Sequence, residues 1–213
     1  MDIKTLAVGQ LKTNCYLVFG FKSSSREAII IDPGGDADYI IQKIRDYDLK
    51  PKLIVATHGH FDHILAVNEL KAAFKIPFAM NKKDQKLLSW MRHSANYFTN
   101  FDPGPPPRID KNLKEGEEIQ ISNFKFQIIE TPGHTPGGVC LYSQKEKLVF
   151  AGDSIFAGGG IGRTDFPYCN KEDLTKSIKK LTQLPKETLV YSGHGDTTTI
   201  GEFSEAQKQQ SQF

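Results

Sequence analysis

Leu53-Ile54-Val55-Ala56-Thr57-His58-Gly59-His60-Phe61-Asp62-His63 is the stretch that decides how the rest of the chain is read. Its apolar opening, residues 53–56, has the length and branched content of a strand buried on both faces. The strand stops at Thr57. Three histidines and an aspartate, at positions 58, 60, 62 and 63, then fall on the loop at its carboxyl end. Sites in open α/β sheets tend to form at such ends. Residues 64–74 carry apolar side chains at helical spacing, so Asp62 and His63 are expected to open a helix.

Outward from this stretch the chain reads as short strands separated by turns and helices. Strands are expected at 3–8, 15–19 and 28–31, the last closed by the turn signal Asp32-Pro33-Gly34-Gly35. An amphipathic helix follows over 37–47, with Ile40, Ile41 and Ile44 on one side. Beyond the central helix come a strand at 77–80 and a helical piece at 84–91. Residues 98–110 include Phe101-Asp102-Pro103-Gly104-Pro105-Pro106-Pro107. Proline lacks the amide hydrogen and fixes φ, so this is a stiff surface loop. Strands resume at 118–121, 124–129, 138–142 and 148–151, followed by a glycine-rich loop over 152–168. A helix over 171–181 with Asn170 as its cap, a strand at 188–192 and a helix from Ile200 complete the order. Strands lead and helices close each half, which points to two β-sheets face to face with helices outside.

No flexible linker divides the 213 residues, so one domain spanning 1–213 is expected. At this length roughly 70% of the unfolded surface is buried and no covalent staples are needed. The formal charge is +2 and the 27 basic residues are spread along the chain. Nothing in that distribution points to nucleic acid or anionic lipid. There is no signal-peptide pattern at Met1 to Gln10 and no apolar run long enough to span a bilayer, so a cytoplasmic location is expected. Cys15, Cys140 and Cys169 are odd in number and irregular in spacing. They read as small buried hydrophobes in a reducing compartment, with no disulfide framework.

Five of the six histidines lie at strand ends in turn-rich surroundings. His58, His60 and His63 form the first group. His134 lies in Thr131-Pro132-Gly133-His134-Thr135-Pro136-Gly137-Gly138, and His194 in Ser192-Gly193-His194-Gly195-Asp196. Asp153 follows another strand in Gly152-Asp153-Ser154. His93, in a polar helical stretch, is a surface residue by contrast. A lone loop histidine is usually solvated, but this joint placement of donors at four strand ends indicates a metal site. Imidazole with carboxylate and no thiolate suits Zn²⁺, Fe or Mn. Seven donors exceed the needs of one tetrahedral ion and suffice for two, with one carboxylate bridging. Such a pair holds a hydroxide and polarises a carbonyl or phosphoryl oxygen, so no protein nucleophile is needed.

His58-x-His60-x-Asp62-His63 followed by His134, Asp153 and His194 resembles the signature of the metallo-β-lactamase superfamily. The resemblance implies an α+β fold, the four-layer αββα sandwich of two mixed sheets with helices outside. It also implies that His58, His60 and His134 hold one ion, that Asp62, His63 and His194 hold a second, and that Asp153 bridges them. Asp62 would also handle a proton in the reaction. Class B β-lactamases use a cysteine where this chain has Asp153, which disfavours antibiotic hydrolysis. Gly152-Asp153-Ser154-Ile155-Phe156, Gly160-Ile161-Gly162-Arg163-Thr164-Asp165-Phe166-Pro167 and Thr131-Pro132-Gly133-His134-Thr135-Pro136-Gly137 are similar to the short bacterial glyoxalase II-like hydrolases. That likeness implies two Zn²⁺, with Fe or Mn as alternatives, and hydrolysis of a small thioester of the S-lactoylglutathione kind by a metal-bound hydroxide.

The Gly-Arg-Thr-Asp stretch is also found in persulfide dioxygenases, which hold one iron on the equivalents of His58, His134 and Asp153 and consume glutathione persulfide with O₂. The long glyoxalase II enzymes carry a glutathione-contacting Lys and Tyr in this loop and an added C-terminal helical domain. The loop here reads Gly162-Arg163-Thr164-Asp165 instead. Arg163 can grip a substrate carboxylate through two hydrogen bonds, or form a buried pair with Asp165 that braces the loop. Asp32 and Thr57 are placed to orient ligand imidazoles. Tyr97, Phe98 and Phe101 either line the substrate mouth or pack locally.

Overall fold

In the computed structural model, which describes residues 1–20 and 26–210, the apolar runs become neighbouring strands of two sheets. The first sheet holds β1 (Asp2–Val8), β2 (Thr13–Phe19), β3 (Glu27–Ile31), β4 (Lys50–Val55), β5 (Phe78–Met80) and β6 (Lys111–Asn112), side by side in chain order. β1 to β3 pair antiparallel, and β3 to β6 pair parallel. The switch follows from the connections, because a parallel neighbour requires a long crossover. Helices supply it: α1 (Ala37–Asp46) before β4, α2 (Val67–Phe74) before β5, and α3 (Gln85–Ser89) with α4 (Met91–Thr99) before β6.

The second sheet repeats the theme with β7 (Glu118–Ile121), β8 (Phe124–Glu130), β9 (Val139–Ser143), β10 (Leu148–Gly152), β11 (Leu189–Ser192) and β12 (Thr198–Thr199). Its parallel pair is β10 and β11, joined through α5 (Lys171–Leu181), and the other pairs are antiparallel. The last described helix, α6 (Ile200–Gln210), follows β12.

Alternation along the strands divides the apolar side chains among three layers. Ile30 and Ile54 face α1 and α2, where Ile40, Ile44, Val67 and Leu70 meet them. Ile29, Ile31, Leu53 and Val55 face the other sheet and pack with Phe126, Ile128, Leu141 and Phe150. On the far side of that sheet Val149, Ala151 and Val190 pack with Leu181 of α5 and Phe203 of α6. Helix, sheet, sheet and helix therefore stack in the expected α+β sandwich. Both faces of β3 are covered, and burying each of its isoleucines contributes about 1.5–3 kcal/mol.

Three elements differ from the sequence reading. The helix expected over 64–74 begins at Val67. Phe61–His63 instead form a 3₁₀ turn, with His63 N donating to His60 O and Ile64 N to Phe61 O. Ile64 then leaves helical geometry at φ −135°, and Ala66 N donates to Pro33 O, tying the chain to the turn after β3. That turn presses against the ligand loop so closely that a Cβ on Gly34 would lie 1.7 Å from Asp62 O. The loop expected from residue 98 starts two residues later, because α4 runs to Thr99 and ends on Asn100 in the left-handed region. Met91 and Ala95 bury one face of α4 at helical spacing, leaving His93 exposed as expected. Finally, β6 and β12 are two-residue strands too short to carry a pattern in sequence.

Cys15 and Cys140 are buried free thiols, and Cys169 is half-buried and free. No described helix is long and apolar enough to cross a membrane.

Candidate metal centre

The carboxyl ends of β4, β8, β10 and β11 meet at one edge of the sandwich. Val139 N donates to Thr57 O, Gly193 N to Gly152 O, and Asn14 N to Gly193 O, at 2.8, 2.8 and 2.7 Å. These main-chain bonds bring all seven expected donors together in two groups, within each of which the donor atoms lie within 4.8 Å of one another.

The first group is His58, His60, His134 and Asp153. Its imidazoles are held from behind, so that one nitrogen of each points inward. Thr57 Oγ1 donates to Asp32 Oδ2 at 2.7 Å, which leaves its lone pair for His58 Nδ1 at 3.1 Å. His134 Nδ1 donates to the carbonyl of Arg163 at 2.9 Å. His60 Nε2 meets the Tyr168 hydroxyl at 2.8 Å. The inward atoms are then His58 Nε2, His60 Nδ1 and His134 Nε2, with His60 Nδ1 3.0 Å and 3.1 Å from the other two. Because the outer nitrogens of His58 and His134 carry the proton, their inward nitrogens are lone pairs converging on one point. That arrangement fits a cation.

The second group is Asp62, His63 and His194. His194 Nε2 lies 3.3 Å and His63 Nε2 3.6 Å from Asp62 Oδ2. His63 Nδ1 lies 3.0 Å from Asp32 Oδ2, so Asp32 and Thr57 orient imidazoles in both groups as expected. Asp153 stands between the groups: its Oδ1 is 3.5 Å from His63 Nε2, and its Oδ2 is 3.6 Å from His134 Nε2 and 3.8 Å from His194 Nε2. His63 Nε2 and Asp153 Oδ1 are buried and make no hydrogen bond. Unmet buried polar atoms are costly, and a bound ion would satisfy both. Gly193 leaves room for them, since a Cβ there would fall 2.1 Å from Asp153 Oδ1.

Electrostatics separate the groups. Burial pushes His58 far below the usual histidine range and, with the charge of His134, takes His60 down to about 3. Burial would lower His63 too, but the charges of Asp153, Asp62 and Asp32 outweigh it and raise it to about 10. His194 is also raised, its burial offset by the hydrogen bond to Asp62 and the charge of Asp153. Burial would raise Asp62, and the charge of His63 and the His194 hydrogen bond hold it below the usual carboxylate range.

Two supporting residues carry no recognisable signal in the sequence. Asp84 is fully buried where the chain enters α3, and it accepts from Gly59 N at 2.8 Å, Thr135 Oγ1 at 2.7 Å and Gly137 N at 2.5 Å. It thereby ties the His58–His63 loop to the His134 loop. Burial pushes its carboxyl up, and the hydrogen bonds from Thr135, Gly59 and Gly137 pull it down. Tyr168 reaches His60 across 108 residues of chain. An aspartate before a helix and a tyrosine in a glycine-rich loop are ordinary in sequence, and only the fold aims them.

A cavity of about 410 Å³ opens over both groups, walled by Trp90, Phe98, Phe166 and Tyr168 and floored by His60 and Asp153. Of the aromatics expected at a substrate mouth, Phe98 is in this wall, stacked on Phe61 at 5.9 Å. Tyr97 packs edge-on against Phe98 and is 77% exposed, and Phe101 lines the adjoining cleft beyond Leu11. The Arg163–Asp165 pair forms, but it is not buried: the side chains are 54% and 62% exposed. Arg163 Nε and Nη2 donate to the two Asp165 oxygens at 2.7 and 2.6 Å. The Arg163 hydrogen bond takes Asp165 down to about 2.

Fold and site together define a metallo-hydrolase of the αββα kind, and the comparisons agree. The model of the metallo-β-lactamase superfamily matches residues 8–194, and the chain belongs to that superfamily. It is 39% identical over 206 residues to hydroxyacylglutathione hydrolase GloC of Haemophilus influenzae, covering 95% of this chain and 93% of that one. Among solved structures it is similar to BLEG-1 B3 metallo-β-lactamase, with a TM-score of 0.87, 36% identity, and 96% and 97% of the two chains covered. TTHA1623 in a di-iron-bound form follows with a TM-score of 0.85, 33% identity, and coverage of 95% and 98%. ETHE1 from Myxococcus xanthus gives a TM-score of 0.79, 27% identity, and coverage of 97% and 83%.

Proposed function

We propose that this protein is a cytoplasmic hydrolase that cleaves a small thioester on two divalent ions. His58, His60 and His134 would hold the first and Asp62, His63 and His194 the second, with Asp153 facing both sets of donors. The observation that carries this reading is the convergence of seven buried or half-buried donors, two of them unmet, on the floor of an apolar pocket. The likeness to GloC supports thioester chemistry. The donor types suit Zn²⁺, Fe or Mn alike; the likeness to glyoxalase II-like hydrolases favours Zn²⁺, and the di-iron relative makes Fe the alternative to test.

Bound divalent ions supply a nucleophile from water near neutral pH and polarise an acyl oxygen. The chain does the rest. The pocket wall positions the thioester above Asp153 and shields it from solvent. Water adds to the acyl carbon, the C–S bond breaks, and one proton of the water passes through Asp62 to the departing sulfur, giving a thiol and a carboxylic acid whose remaining proton is lost to solvent. Thr13 Oγ1 donates to Asp62 Oδ2 at 3.2 Å and fixes the carboxylate for this transfer.

The test is hydrolysis of S-lactoylglutathione by protein reconstituted separately with Zn²⁺ and Fe²⁺, with O₂ uptake on glutathione persulfide and opening of a β-lactam measured alongside. Chelator-sensitive thioester loss without O₂ uptake is the expected result. O₂ uptake by the iron form alone would replace this reading with the single-iron persulfide dioxygenase, which the likeness to ETHE1 favours. β-Lactam opening without thioester cleavage would follow the likeness to BLEG-1 instead, against the expectation drawn from residue 153.

A further inference from the structure

Five aromatic rings form a continuous wall beside the metal centre. Phe61 stacks on Phe98 at 5.9 Å, Phe98 meets Phe166 at 6.5 Å, Phe166 stacks on Tyr168 at 5.3 Å, and Tyr168 reaches Trp90 at 6.5 Å. The wall abuts the site directly, because Phe166 and Tyr168 lie 6.1 and 5.8 Å from the His60 ring. Trp90 and Phe98 remain 42% and 50% exposed, and Leu11 on the facing rim 45%. Large apolar side chains gathered around a concave site and left open mark a place where apolar surface is to be covered.

The pocket offers little for the opposite kind of ligand. Arg163 is the one lysine or arginine among its described lining residues. The Nε–Nη2 edge of its guanidinium is held by Asp165, and its flat face lies 4.2 Å over Phe166. A substrate carboxylate seeking that edge would have to compete with the internal one already on it. Lys86, the cation beside the wall, is drawn over the Trp90 ring at 4.9 Å.

Resting on the thioester reading above, we infer that the pocket selects thioesters of apolar acyl groups, aliphatic or aromatic, on a carrier that brings no carboxylate to Arg163. Phe166 and Trp90 are the residues that set this preference, and Asp165 is the residue that withholds the Nε–Nη2 edge of Arg163 from anionic carriers.

The experiment compares S-phenylacetyl and S-lactoyl thioesters, each on N-acetylcysteamine and on glutathione, using the metal-loaded protein. kcat/KM is expected to favour phenylacetyl by about tenfold or more on either carrier, the scale on which apolar pockets discriminate, with glutathione no better than N-acetylcysteamine. Phe166→Ala or Trp90→Ala should shrink the acyl preference several-fold. Asp165→Asn, at an exposed position, should release Arg163 and raise kcat/KM for S-lactoylglutathione by about tenfold. Equal rates for the two acyl groups, or a wild-type preference for lactoyl or for glutathione, would overturn the inference. Trp90 is the chain's one tryptophan, so its fluorescence reports occupancy independently of turnover. S-benzyl-N-acetylcysteamine, a thioether that is not hydrolysed, is expected to bind at least about tenfold more tightly than its S-(2-hydroxypropyl) counterpart. That result with no hydrolysis of any thioester would sustain the pocket preference while removing the hydrolase reading. Equal or absent binding of both thioethers would remove the preference itself.

Discussion

The two donor groups sit side by side, yet they are built on opposite principles. Around the first, imidazole dominates: His58 and His60 are kept neutral by burial, and their outer nitrogens are met by Thr57 and Tyr168. Around the second, carboxylate dominates: Asp32, Asp62 and Asp153 converge on His63 and hold a proton on it. The first group is ready for a cation as it stands. The second substitutes a proton for the cation and must release it on binding. Neighbouring sites in one loop system can thus differ in metal affinity, proton release and pH response without differing in ligand number.

The largest effect expected is from Asp153, whose two oxygens face both groups. Asp153→Ala should cost more than about a hundredfold in affinity for each ion, beyond the ~10–100-fold typical of removing an outer partner. Metal content after dialysis measures it, with circular dichroism to check the fold. Loss of one ion alone would show that Asp153 does not join the groups.

pH separates the groups next. A ligand histidine must be deprotonated to bind. With His63 raised to about 10, the metal-free second group carries that proton at neutral pH. Its affinity should therefore fall by at least about tenfold per unit as pH drops below about 10, with release of at least about one proton on uptake at neutral pH. His58 and His60, held far below the usual range and near 3, have no proton to lose, so these two ligands should add no pH dependence to the first group over the same drop. Stepwise Zn²⁺ titration with a pH indicator in weak buffer reads both steps. Identical pH slopes would erase the contrast.

The smallest effect sharpens it. Tyr168→Phe removes the hydroxyl on His60 Nε2 and should weaken the first ion by about tenfold, leaving the second unchanged in the same titration.

The seven gathered side chains were legible in sequence because they follow four strand ends in glycine-containing stretches, where a histidine has little packing reason to be. The strands were legible because Ala28 to Ile31 and Leu53 to Ala56 are buried on both sides and read as plain apolar runs. The start of α2 was not. Helical spacing continues through residues 64–66, but the hydrogen bond from Ala66 N to Pro33 O holds them out of the helix. Arg163 and Asp165 were legible as a pair of charges. Their exposure was not, because burial depends on what the loop does not touch.

By itself the sequence determined the two sheets and which histidines and carboxylates gather at one edge of them. Strand periodicity and ligand type are local properties, written in residues a few positions apart. The tertiary structure alone decided that Asp84 ties the ligand loops together, that Tyr168 backs His60, and that Trp90, Phe98 and Phe166 share one wall. Those contacts join parts of the chain dozens of residues apart, and their energies arise only when the two sheets bring the parts within hydrogen-bond or ring-contact distance.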